Sequence, residues 1–186
     1  MTIHKSSALP LFALGATFAV TYALLRASSP VHAVESYRPL ACEAAERAGI
    51  DPNLLLALVT VESQGDPHAR SSAGALGLTQ LKLIAARDAA AQLGEPPPTA
   101  EDLFVPATSL RLGAAYLRWL IQRFGDTRVA LAAYLKGPEW VARSGGVEEA
   151  SKRLRAPSEV SHYVQRILEL SARLSERATP APPKGH

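Results

Sequence analysis

The feature that most constrains the fold is an almost uninterrupted apolar run at residues 54–61. Asp51 and Pro52 precede it, and an N-cap aspartate followed by proline in the first turn is a typical start of an α-helix. A helix that is apolar on every side is stable only when other elements cover it. We therefore expect residues 54–61 to belong to a buried helix.

The remaining body of the chain also has helical patterns. Beyond residue 33 no alternating strand pattern bounded by hairpin turns occurs, whereas glycine and proline divide stretches in which apolar residues have helical spacing. A length of 186 residues with 47% hydrophobic side chains suits one domain with one core. The fold class is therefore all-α, a single domain at residues 34–178 with six to seven helices, predicted at about 34–48, 52–63, 78–93, 109–124, 127–135 and 158–177.

The two ends of the chain differ from this body. Residues 8–25, about 18 in number, carry no charge, and residues 31–33 (Val-His-Ala) have the small side chains expected at a signal-peptidase site. The apolar stretch is also close to the minimum length of a membrane span. Residues 1–33 are thus an N-terminal apolar helix that is a signal peptide or a membrane anchor, with a buried core helix as the third alternative. Residues 179–186, with three prolines, are predicted to be a disordered tail.

Charge and cysteine content exclude other classes of protein. The 20 basic residues exceed the 17 acidic ones by three, and two of them, Lys5 and Arg26, lie in the first 33 residues, so no nucleic-acid partner is expected. The single cysteine, Cys42, can form neither an internal disulfide nor a cysteine-based zinc site. His68 and His162 are not arranged as a metal pair. We expect no metal and no cofactor.

One carboxylate stands where burial is expected. Glu62 ends the apolar helix, and both burial and the partial negative charge of a helix C-terminus raise the pKa of a carboxyl group. A carboxylic acid that stays protonated near neutral pH can donate a proton to a glycosidic oxygen. On this helix alone, Glu62 could equally face water on the last turn.

Four motifs occur in a fixed order around this residue: Glu-Ser at 62–63, Gly-Ala-Leu-Gly-Leu-Thr-Gln at 74–80, Ala-Leu-Ala-Ala-Tyr at 130–134 and Tyr-Val at 163–164. In this order and spacing the set resembles the lysozyme-like catalytic domain of bacterial soluble lytic transglycosylases. The resemblance covers about residues 45–170. It implies a lysozyme-like fold in which peptidoglycan glycan strands are the substrate.

The resemblance also implies roles for individual residues. Glu62 matches the catalytic acid of the family. The other matching residues would contact substrate or line the glycan groove: Ser63, Gly77, Leu78, Gln80, Tyr134 and Tyr163. In this family a single glutamate first protonates the oxygen between N-acetylmuramic acid (MurNAc) and N-acetylglucosamine (GlcNAc). It then removes the proton of the 6-hydroxyl, which closes on C1 to give a 1,6-anhydro-MurNAc end without water.

The chain departs from the family pattern in several places, and the Met-Pro-x-Thr-Ala stretch that follows Gln80 in the family is lost at residues 81–86. Leu135 and Lys136 stand where the family has asparagine and alanine, and Thr79 stands in place of methionine. A leucine can neither donate nor accept a hydrogen bond, and one such bond is worth about 0.5–1.5 kcal/mol. The alternative function is therefore an inactive or weakly active peptidoglycan-binding module of a cell-envelope secretion system. Because residues 1–33 are predicted to be a signal peptide or a membrane anchor, we expect an exported protein of the periplasm or cell envelope that contacts the membrane only through this segment.

Three aromatic residues have no assigned role in these motifs. Tyr116 and Trp119 lie in a predicted helix, where packing in the core is the expectation. Trp140 follows a Gly-Pro break and could equally pack or stack on a sugar ring.

Overall fold

A computed structural model describes residues 30–178 of the chain. Most of the predicted signal peptide or anchor and the whole predicted tail at residues 179–186 lie outside the described residues. Within the described part, no helix combines the length and the apolar character that crossing a membrane requires.

The described residues are mostly helical, as predicted. Nine α-helices follow one another in the described chain: α1 (Pro30–Glu35), α2 (Arg38–Ala48), α3 (Pro52–Glu62), α4 (Leu83–Gln92), α5 (Pro106–Phe124), α6 (Thr127–Lys136), α7 (Glu139–Arg143), α8 (Val147–Arg153) and α9 (Glu159–Ala178). A two-stranded antiparallel hairpin, β1 (Ala75–Leu76) and β2 (Leu81–Lys82), and a 3₁₀ helix (Glu101–Phe104) complete the set.

The predicted count of six to seven helices was wrong. A turn at Ser36 and Tyr37 divides the first predicted helix into α1 and α2. Two short helices, α7 and α8, form where glycine and proline had indicated only loops. Each is too short to show a periodic apolar pattern in the sequence, and each depends on tertiary packing for its stability.

Helix α3 is the buried centre of the fold, as the apolar run predicted. The Asp51 side chain accepts a hydrogen bond of 2.8 Å from the backbone N–H of Asn53, which caps the helix N-terminus. Every residue of α3 from Leu54 to Thr60 is buried. Helices α2 and α9 pack against α3, so they supply the cover that an apolar helix needs.

Helix α5, with 19 residues, is the second longest helix of the described chain after α9. It begins at Pro106 and ends at Gly125, whose φ of 65° provides the left-handed C-terminal turn. It packs against α2, α4 and α6, with most of residues 109–120 buried. This arrangement holds α6 and the hairpin at the C-terminal end of α3.

The hairpin replaces the first turns of a predicted helix. We expected a helix at residues 78–93, but α4 begins only at Leu83. Gln80 has a φ of 47°, a left-handed conformation that cannot continue an α-helix. Leu76 and Leu81 face each other across the two strands, so the chain reverses direction beside the end of α3.

Candidate active site

A groove of about 520 Å³ opens at the C-terminal end of α3. Glu62, the last residue of this helix, lines the groove and is half-buried. The other lining residues come from the loop and hairpin after α3 and from α4, α5 and the junction of α6 with α7: Ser71, Ala73, Ala75, Gln80, Leu81, Lys82, Ile84, Ala85, Asp88, Tyr116, Trp119, Tyr134, Leu135, Lys136, Gly137, Pro138 and Glu139.

Within residues 30–178, Glu62 has one hydrogen-bond partner, a tyrosine of the last helix. The hydroxyl of Tyr163 donates to Glu62 Oε1 at 2.5 Å, which is possible because α9 packs along α3. Burial raises the pKa of Glu62 from 4.5 to about 7, and the bond from Tyr163 opposes this by favouring the charged form. Near neutral pH the carboxyl group therefore exists in both protonation states.

Tyr134, on α6, lines the same groove as Glu62. Its hydroxyl donates to the backbone oxygen of Thr79 at 2.8 Å, and burial raises its pKa well above the ordinary value. The ring of Tyr134 meets that of Tyr116 edge-on at 5.5 Å, and Tyr116 stacks on Trp119 at 5.6 Å. Tyr116 is buried in the core and Trp119 packs against it, as the sequence predicted. Both also line the groove and extend an aromatic wall from Tyr134.

Gln80 lines the groove in a fixed orientation. Its side-chain Nε2 donates to the backbone oxygens of Ala69 at 3.1 Å and Gly77 at 2.9 Å. Both amide protons are thus used within the loop, which leaves the carbonyl oxygen as the hydrogen-bonding group that Gln80 can offer to a ligand.

Four predicted substrate residues do not line the groove, and one of them, Tyr163, reaches it only through its bond to Glu62. Ser63 is a buried C-cap whose hydroxyl donates to the Val59 carbonyl at 3.2 Å. Leu78 is fully buried in the core, and the backbone of Gly77 packs against the carbonyl of Leu103. Their roles in substrate binding remain predictions of the resemblance.

Thr79, the replacement for the family methionine, is also turned away from the groove. Its side chain is fully buried, and its hydroxyl donates to the backbone oxygen of Ser109 at 3.0 Å. Gly113 of α5 lies directly against it, since a Cβ there would be 2.6 Å from the Thr79 methyl group. Thr79 therefore contributes its backbone oxygen, through Tyr134, rather than its side chain.

Four charged residues line the groove besides Glu62: Lys82, Asp88, Lys136 and Glu139. Sequence reasoning had noted Lys136 only as a departure from the motif and gave Lys82 and Glu139 no role. No other carboxylate is among the causes of the pKa shift of Glu62, although Asp88 and Glu139 line the same groove. In the same part of the chain, no cluster of three or more His, Cys, Asp or Glu side chains could hold a metal ion.

A helical domain with a half-buried glutamate at the base of a groove belongs to the lysozyme-like class. Three solved structures share this fold. An inactive variant of the lytic transglycosylase Slt from Pseudomonas aeruginosa is 28% identical with a TM-score of 0.67, and the match covers 79% of this chain and 25% of that one. The 70 kDa soluble lytic transglycosylase from Escherichia coli is 24% identical with a TM-score of 0.64, covering 79% and 26%. A complex of the 70 kDa soluble lytic transglycosylase with bulgecin A is 24% identical with a TM-score of 0.61, covering 83% and 27%.

The family follows from a sequence model rather than from fold alone. The model of the Transglycosylase SLT domain matches residues 39–155, and the chain belongs to this family. The resemblance found in the four motifs is thereby confirmed. The chain spans only about a quarter of the length of the solved proteins it matches.

Proposed function

We propose that the chain is a peptidoglycan lytic transglycosylase that cleaves the β-1,4 bond between MurNAc and GlcNAc without consuming water. The observation that carries this proposal is Glu62, a half-buried groove carboxyl with a pKa of about 7. Most glycosidases divide the work between two carboxylates. Among residues 30–178 no second carboxylate shifts the pKa of Glu62, which supports a reaction in which one group acts in both steps.

In the first step Glu62 is the acid. Its proton moves to the glycosidic oxygen while the bond from that oxygen to C1 of MurNAc breaks, and the acetamido oxygen of the substrate stabilises the cationic C1. The carboxylate that remains accepts a hydrogen bond from Tyr163. Because hydrogen bonds to charged acceptors are the stronger ones, this contact stabilises Glu62 after it has given up its proton.

In the second step Glu62 is the base. The carboxylate removes the proton of the 6-hydroxyl of MurNAc, and the 6-oxygen forms a bond to C1. The product is a 1,6-anhydro ring, and the proton is again on Glu62, so the cycle closes without water. A pKa of about 7 suits both transfers, since acid and base work are each most efficient when the pKa is near the working pH.

The comparisons support a glutamate in this role. The matched Pseudomonas aeruginosa structure is an inactive variant in which a glutamate is replaced by glutamine. The proposal also assigns a role to each part of the chain. Residues 34–178 would be the catalytic domain, and residues 1–33 would be the segment that exports or anchors it. Peptidoglycan lies outside the cytoplasmic membrane, so the protein would act in the periplasm or cell envelope, in wall turnover or beside a secretion apparatus.

The mass of the released fragments tests the reaction. We expect the full chain, incubated with purified peptidoglycan, to release muropeptides that are lighter by one water than those from a hydrolase, with no new reducing ends. Fragments with reducing ends would contradict the cyclisation step. Retention on the peptidoglycan without release would favour the alternative function, a peptidoglycan-binding module. The observation that favours this alternative is Leu135, an apolar side chain in the groove wall.

A Tyr163→Phe change tests the contact with the acid. Cleavage by the unchanged chain should decline as the pH rises above about 7, because the proton of Glu62 is then lost. The Tyr163 bond lowers the pKa of Glu62, so its removal should move this decline to higher pH. The maximal rate should fall about tenfold, the lower range for a hydrogen bond to a charged group. The measurement is kcat/KM across pH.

Tyr134→Phe is the matched control. It also removes one phenol hydroxyl from beside the groove, but that hydroxyl binds the Thr79 backbone rather than Glu62. Its pH profile should decline at the same pH as that of the unchanged chain. An identical displacement in both variants would contradict a specific contact between Tyr163 and the acid.

A further inference from the structure

Two lysines in the groove wall have weak ion-pair partners or none. Among residues 30–178, Lys82 takes part in no ion pair. Lys136 reaches only Glu159, at 3.4 Å, and the side chain of Glu159 is 83% exposed. An exposed pair of this kind contributes little to stability. Both ammonium groups are therefore available to a ligand in the groove.

Lys136 lies at the catalytic end of the groove. Its partner Glu159 precedes Tyr163 by four residues on α9, so both side chains are on the same face of that helix. Tyr163 in turn binds Glu62. The acidic residues Asp88 and Glu139 also line the groove, but among residues 30–178 neither forms an ion pair with Lys82 or Lys136.

The lysines do not serve Glu62 directly. A nearby ammonium group would lower the pKa of that carboxyl, yet no lysine contributes to it. Lys136 is the last residue of α6, where a positive charge interacts favourably with the helix dipole. That role does not require a position in the groove wall. Lys82 follows Gln80 and Leu81 on the hairpin and has no such structural role.

We propose that Lys82 and Lys136 bind carboxylates carried by the substituents of the glycan strand. The proposal rests on the proposed function and names the substrate form that this groove prefers. MurNAc bears a lactyl group whose carboxyl is either free or extended by a peptide with its own carboxylates. Leu135 and Lys136 stand where the family has asparagine and alanine. At these positions the substrate would be held by the charge of Lys136 and by apolar contact with Leu135, and not by a hydrogen bond to an asparagine amide.

Binding to charged and neutralised glycan strands tests this inference. The strands either carry their peptides or are stripped by an amidase, which leaves lactyl carboxylates, and a portion of each is neutralised by carbodiimide coupling to methylamine. The full chain carrying Glu62→Gln is used, so that binding is measured without cleavage. Lys82→Gln and Lys136→Gln should each weaken binding to charged strands about fivefold at low salt, the upper range for a partly exposed ion pair.

The controls separate charge from structure. Lys136→Arg should retain binding, and Lys152→Gln, a distant surface change with the same effect on net charge, should leave it unchanged. Neither groove variant should affect binding to neutralised strands, and high salt should remove the difference. An effect with both strand types would identify the lactyl or stem carboxylates as shared ligands, whereas an effect with peptide-bearing strands alone would identify the stem peptide.

Two results would overturn the inference: no change with charged strands, or equal weakening with charged and neutralised strands. The second would mean that the lysines act on the fold or on uncharged sugar. The outcome is independent of cleavage. If the unchanged chain releases no anhydro products but the lysine effect holds, the proposed reaction fails while carboxylate binding stands. If anhydro products form but the lysine variants bind charged strands as well as the unchanged chain does, the proposed reaction stands and carboxylate binding by the lysines fails.

Discussion

A Glu62→Gln variant should release anhydro-muropeptides at least about a thousandfold more slowly than the unchanged chain, because acid–base groups typically contribute 10²–10⁴-fold and this one acts in two steps. The amide of glutamine has nearly the same shape and can still accept the hydrogen bond from Tyr163, but it has no proton to give. Glycan binding should persist. The measurement is the initial rate of release with an excess of peptidoglycan.

Glu139→Gln is the matched control for this change. Glu139 also lines the groove, but it does not contribute to the pKa of Glu62. Its replacement should slow release by less than about tenfold, the effect of losing one ordinary hydrogen bond. Comparable losses in both variants would indicate a reaction with two carboxylates, and retained activity in Glu62→Gln would show that the acid is another residue.

The same variant has a distinct signature in stability. The pKa of Glu62 is about 7 in the folded chain against 4.5 ordinarily, so between these pH values the folded state holds a proton that the unfolded state has lost. The free energy of unfolding therefore falls as the pH rises through this window, by about 2 kcal/mol once partial exposure is allowed for. Glutamine does not titrate, so at pH above 7 the variant should be more stable than the unchanged chain. The measurement is denaturant unfolding at several pH values. If Glu62 were fully solvated, the free energy of unfolding would change with pH equally in the variant and in the unchanged chain.

Helix α3 and its terminal acid could be predicted because their signals are local. Asp51 and Pro52 mark the start, the apolar run marks burial, and Glu62 follows where the run ends. Burial of the helix then dictates the direction of the pKa shift without knowledge of any partner. The four motifs also indicated Gln80 and Tyr134, which line the groove, and Tyr163, which bonds to Glu62 from 101 residues away.

The hairpin and the groove wall could not be predicted in the same way. Gln80 has a positive φ that no local propensity indicates, and this conformation is what delays α4 to Leu83. Trp119 and Lys82 enter the groove only because α5 and the hairpin meet at the end of α3. Such neighbours are set by packing between distant segments, and apolar periodicity reports which face is buried but not which element covers it.

A Gly77→Ala change should be the most destabilising single substitution in the turn between β1 and β2. Gly77 has a φ of 72°, and a Cβ there would lie 1.9 Å from the carbonyl oxygen of Leu103 and 2.9 Å from its carbon. The left-handed backbone costs an L-residue about 1–2 kcal/mol, and overpacking adds about 1–3 kcal/mol. We expect the free energy of unfolding to fall by about 3 kcal/mol in denaturant titrations.

Gly74→Ala provides the control, because it shares the backbone conformation but not the contact. Gly74 has a φ of 79°, and a Cβ there would meet no atom within 4 Å. Its cost should be about 1 kcal/mol, from backbone strain alone. The difference between the two variants measures how tightly the loop is held against Leu103, and therefore how firmly Gln80, whose amide donates to the Gly77 carbonyl, is kept in the groove. Equal costs would mean that the loop yields to the added methyl group and that the groove wall is not fixed by this contact.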